Sequence, residues 1–223
     1  MNDSRKGCRI AALVMICAYL AVTRIMELYG LISNLSMGSY YLENYFLTFS
    51  NISSILLSYF EVVPTVLLLI FLAAGAKRIG LLRCSMILFM VVSGLTMIWY
   101  FCVRGFTSLK INAALHQAAS LAVYLVILIE TPKRKMTVSP ILCLIRAGLV
   151  LIFPFIQAVL MMNAFGYEAG AAFSFTLSLS NILSALICIV FWIALFLTTK
   201  YVITGPERSK WDEWDDAEME KYS

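Results

Sequence analysis

"ENYFLTFSNISSILLSYFEVVPTVLLLIFLAAG", residues 43–75, decides the class of this chain. As a helix it is long enough to cross ~30 Å of hydrocarbon, which takes about 20 apolar residues. Yet it carries Thr48, Asn51, Ser54, Ser58, Glu61 and Thr65. At about 100° per residue the last five fall within an arc of roughly 80°, with Thr48 close beside it. One face therefore suits lipid and the other suits a polar interior.

Runs of the same kind flank it on both sides. They are expected as helices near 9–30, 46–74, 81–103, 111–130, 140–163 and 174–199. The chain is 61% hydrophobic and 13% charged, where soluble domains carry roughly 25% charged residues. Its mean hydropathy is +0.88. The expected fold is all-α: a polytopic membrane protein with six transmembrane helices in a single bundle over residues 1–200. An acidic cytoplasmic tail, 201–223, follows and holds seven of the thirteen acids. The first run has a basic start but no small-residue cleavage site behind a short core, so it reads as a retained helix.

Basic residues set the orientation. Arg5, Lys6 and Arg9, then Lys77, Arg78 and Arg83, then the "TPKRK" turn with Arg146 beyond it, and finally Lys200 recur at alternate connections. The stretches 31–45 and 164–173 contain no Lys or Arg, and the remaining one holds Arg104 and Lys110. By the positive-inside rule both termini are cytoplasmic, which requires an even number of spans. The expected location is a bacterial plasma membrane or a eukaryotic endomembrane or plasma membrane. The +4 net charge is thus a topology signal, and no basic stripe with interleaved aromatics speaks for nucleic acid.

The six cysteines are scattered without a CxxC pair, against a disulfide framework or zinc site. No GxGxxG, Walker loop or metal-spaced His/Cys set occurs, so no cofactor is expected.

Polar residues on the other runs repeat the pattern. The third aligns Ser93, Thr96, Tyr100 and Arg104, and the fourth Asn112, His116, Ser120 and Tyr124 with Gln117 beside them. The sixth offers Ser174, Ser178 and Asn181, the fifth Gln157, and the first Arg24 and Glu27 at a spacing that lets them pair. Together they predict a polar cavity open toward the outer leaflet. The plain alternative is that Ser and Thr bond their own backbone, at ~1 kcal/mol each, and that Arg24–Glu27 braces the bundle. Glu61 is the most unusual group, a proton-coupling carboxylate or the partner of an unidentified base.

His116 is the chain's single histidine. If the second and fourth runs are neighbours, Thr48 stands level with it and the imidazole is placed to take a hydroxyl proton. A packed, hydrogen-bonded histidine is the other reading.

"YFLTFSN" in the second run, "NAALHQAASLAVYLVILIE" for the fourth, and "TPKRK" before a Pro-containing fifth form an ordered set. This set resembles the androgen-induced / androgen-dependent membrane protein family and its bacterial six-helix relatives over most of residues 10–199. The resemblance implies an intramembrane hydrolase of fatty-acid esters, with Thr48 as nucleophile and His116 as base. Ala113 stands where eukaryotic members commonly carry a second histidine. In that scheme Asn51, Gln117 or Arg24 would face the oxyanion and Glu27 would orient His116. Membrane lipids and a lipid ester would then be the partners.

Two other classes stay open. One is a binding or transport protein in which Glu61 works with Arg24 or Arg104. The other is a membrane subunit recruited through the acidic tail.

Overall fold

The computed structural model describes residues 3–35, 49–76, 78–102, 107–133, 136–165 and 167–203. Among these residues seven α-helices succeed one another: α1 (Asp3–Leu35), α2 (Phe49–Phe60), α3 (Val62–Ala73), α4 (Ile79–Cys102), α5 (Thr107–Glu130), α6 (Ser139–Phe165) and α7 (Tyr167–Leu197). A π-helical turn, Thr198–Ile203, extends α7. No strand occurs among the described residues.

Among the described residues, five stretches are long and apolar enough to cross a membrane: Ser4–Ile32, Ile55–Ala73, Ile79–Cys102, Ile111–Lys133 and Ile182–Ile203. Between the last two, α6 contributes a shorter apolar stretch, Ser139–Phe153. The outer faces expose residues such as Val14, Ile25, Leu56, Val91, Leu115 and Ile141. Helices satisfy their own backbone groups, which makes such a surface stable in lipid.

The second run departs from expectation. The sequence reads as one helix over 46–74, but the chain breaks at Glu61 into α2 and α3. Pro64 is the physical cause: it has no N–H to give the Phe60 carbonyl, and its ring crowds the preceding turn. The Thr65 hydroxyl donates to the Glu61 carbonyl at 2.8 Å, and Ser85 of α4 donates to the Pro64 carbonyl at 2.7 Å. The break is thus held from both sides.

At the other end of α3 the amide of Ala76 donates to the Phe71 carbonyl, and that of Gly75 to the Leu72 carbonyl. This is a Schellman stop, and Gly75 takes the left-handed φ of +77° that it needs.

α1 packs on α3, each helix from α2 onward packs on the next, and α7 closes against α1. The order around the ring is α1, α3, α4, α5, α6, α7. The second and fourth runs are therefore not adjacent, because α4 stands between them. The basic end of the bundle is filled by Ile16, Leu68, Phe71, Leu82, Met86, Ile127 and Leu195. Above this core lies an aromatic layer. Tyr19 meets Phe191 at 4.9 Å between centroids, Phe89 stacks on Tyr124 at 5.0 Å, and Tyr124 stacks on Trp192 at 5.4 Å.

Candidate functional site

Beyond the aromatic layer the ring of helices encloses a cavity of ≈ 350 Å³. Glu27, Ser58, Glu61, Ser93, Thr96, Trp99, Tyr100, His116, Gln117, Ser120 and Arg146 line its walls, with Tyr19, Tyr124 and Trp192 at its floor. Glu27 lies toward the end of α1 and Tyr100 in the last turn of α4. The cavity thus occupies the half of the bundle away from its basic end.

Arg146 dominates the site, and the sequence reading misplaced it. The charge pattern groups it with the basic connections, but it lies two turns inside α6 and is 2% exposed. Its Nη2 lies 2.7 Å from His116 Nε2 and also donates to the His116 carbonyl at 3.3 Å. Its Nε and Nη2 donate to Ser120 Oγ at 3.1 and 3.0 Å. The guanidinium sits 5.2 Å from the Trp192 ring centroid and 5.9 Å from that of Phe153. Ser120 in turn gives its hydroxyl hydrogen to the His116 carbonyl at 3.2 Å, so its single donor and two acceptor sites are all used.

A guanidinium can only donate. His116 Nε2 must therefore be the acceptor, and in the neutral ring the proton sits on Nδ1. An Nε2 lone pair committed to Arg146 cannot also take a proton from a hydroxyl.

The α5–α6 turn fixes this pair. Glu130, the last residue of α5, accepts from the amides of Thr137, Val138 and Ser139 at 3.2, 2.9 and 2.9 Å. The hydroxyls of Thr137 and Ser139 donate to it as well. A carboxylate here satisfies the free N–H groups at the start of α6 and opposes the positive end of its dipole. Two turns further on, α6 delivers Arg146 to α5.

Across the cavity Arg24 pairs with Glu27 at 2.6 Å, as their spacing predicted. Arg24 also donates to the Ser58 carbonyl at 3.3 Å and lies over Tyr59, while the Ser58 hydroxyl donates to Glu27. Glu61, placed at the helix break, accepts from the Tyr19 hydroxyl at 3.0 Å. The hydrogen-bond donor to Glu61 seen among the described residues is thus a phenol.

Trp99 donates to Ser53 at 2.6 Å and so ties α4 to α2. Thr96 bonds its own helix, to the Val92 carbonyl. Tyr100 and Gln117 line the wall.

Thr48 and Arg104 lie outside the described residues, as do the side chains of Asn51, Asn181 and Gln157. The tail beyond Ile203 lies outside them too. Among the described residues, no three His, Cys, Asp or Glu side chains converge as metal ligands.

Tyr19 and Trp192 were missed because aromatics in apolar runs carry no polar signal. Arg146 did carry one, as a charge inside an apolar run. No family model, curated protein or solved structure matches the chain.

Proposed function

We propose that the chain is a six-span integral membrane protein with both ends cytoplasmic, and that its cavity binds or passes a small molecule or lipid without hydrolysing it. The supporting observation is the commitment of His116 Nε2 to Arg146 at 2.7 Å. This leaves a polar, aromatic-floored chamber whose one imidazole is used to hold a cation. At ≈ 350 Å³ the chamber falls in the range of ligand cavities, roughly 300–1,000 Å³.

A second reading has its own support. His116 stands on the cavity wall, and the motifs "YFLTFSN" and "NAALHQ" resemble those of the fatty-acid ester hydrolases named above. In that reading Thr48 attacks the ester and His116 is the base, which requires Arg146 to release Nε2 when substrate enters.

One experiment separates them. Detergent-purified protein is offered fluorogenic and lipid esters beside Thr48→Ala and His116→Ala, and its small-molecule content is read by native mass spectrometry. The binding reading predicts no turnover that depends on these residues, together with a retained ligand that is lost when Ser93→Phe fills the cavity. Turnover by the wild type that disappears in both folded variants establishes the hydrolase.

A further inference from the structure

Arg146 has five N–H donors. The Nε donor and both Nη2 donors are used by Ser120 and His116. Both donors on Nη1 have no acceptor among the described residues, although that atom is buried. Nor does any described carboxylate lie within ion-pair distance: the described ion pair of the cavity joins Arg24 to Glu27, on the α1 side. Glu61 is bound to Tyr19. A buried cation with two idle donors and no counter-charge costs several kcal/mol, and a binding cavity is where that cost is offset by a ligand.

We propose that the cavity takes a small oxyanion, a carboxylate or a phosphate, with its charged oxygens on the guanidinium of Arg146. This deepens the binding reading above and rests on it. The fit follows from the chemistry. The two Nη1 donors can give charge-assisted hydrogen bonds to anionic oxygens. His116 and Ser120 already hold the Nε and Nη2 side of the guanidinium, so little side-chain freedom is lost on binding. Trp192 and Phe153 flank the guanidinium and keep it weakly hydrated. The aromatic floor of Tyr19, Tyr124 and Trp192 gives a short apolar portion a surface to cover. A cavity of ≈ 350 Å³ admits a short-chain acid whole, or the head of a lipid whose tails stay outside.

The test is the thermal midpoint of the full chain in a non-ionic detergent, titrated with hexanoate, hexanol, hexylamine and inorganic phosphate. Hexanoate is expected to stabilise at a concentration about tenfold or more below that of hexanol, since a hydrogen bond to a charged group contributes enough for that ratio. Arg146→Gln is expected to abolish the difference and Arg146→Lys to keep part of it. Stabilisation by phosphate alone marks a free-anion site, and stabilisation by hexanoate alone marks an amphiphile's head.

Equal shifts with hexanoate and hexanol, or a preference for hexylamine, overturn the oxyanion site and leave a binding cavity. Silence from all four compounds, with no co-purifying ligand, overturns the binding reading as well. Comparison of the compounds on wild-type protein decides the matter even where Arg146→Gln does not fold.

Discussion

Arg146 of α6 donates across 2.7 Å to the Nε2 of His116 on α5. The contact joins a charge that the sequence places among topology markers to the one histidine of the chain. It ties two helices together at the cavity wall and decides which ring nitrogen carries the proton.

The pair should be energetically coupled. Residues sharing a hydrogen-bond network show interaction energies of about 0.5–3 kcal/mol, so Arg146→Met and His116→Ala should be markedly non-additive in thermal or denaturant unfolding. In ligand-free protein Arg146→Met removes a buried cation with no counter-charge among the described residues. It also strips the donor from His116 Nε2 and Ser120, at about 1–3 kcal/mol, and His116→Ala in the same chain should recover part of that loss. Additive effects would mean that the two side chains act independently.

Glu130→Ala should loosen the start of α6. It strips the acceptor from the amides of Thr137, Val138 and Ser139, and loss of a helix cap costs about 1–2 kcal/mol. The same variant should weaken any ligand effect that depends on Arg146, since α6 carries that residue. A thermal midpoint unchanged from wild type would contradict this role.

Much of the scaffold was legible in the sequence because hydrocarbon imposes a simple pattern of length and polarity. Arg24 and Glu27 could be paired from spacing alone, since three residues along a helix bring two side chains to one face. The break at Glu61 was overlooked although Pro64 was in plain view, because apolar content continues through it and hides the lost hydrogen bond. Arg146 was misread for a different reason. Its distance from the basic turn is short along the chain, and only the packing of α6 on α5 turns it inward. The ring order, with α4 between α3 and α5, is tertiary information that no periodicity contains.

Tyr19→Phe should lower stability by about 1–3 kcal/mol, because Glu61 then loses its hydroxyl donor in a buried setting. The Tyr19–Phe191 ring contact at 4.9 Å is retained by phenylalanine, so the change reports on the hydrogen bond. Glu61→Gln keeps an acceptor for the Tyr19 hydroxyl and should cost less. The order of the two thermal midpoints is the check, and a reversed order would remove this bond as a brace of the helix break.

Gly75→Ala should destabilise by about 1 kcal/mol, the cost of a left-handed backbone for an L-residue. The new Cβ would also come within 2.8 Å of Arg9 Nη1, the movable end of a flexible side chain. Gly75→Asn, which tolerates this conformation better, should fall between glycine and alanine. Chemical denaturation of the three proteins gives the ranking, and a variant with alanine as stable as wild type would refute it.

The most direct measurement is the ¹⁵N spectrum of protein labelled only at histidine, where the single ring of His116 gives an unambiguous signal. The account predicts a neutral ring with the proton on Nδ1 and a bare, hydrogen-bonded Nε2 whose shift changes in Arg146→Met. A proton on Nε2, or a spectrum indifferent to Arg146→Met, would contradict it and return the imidazole to the role of a free base.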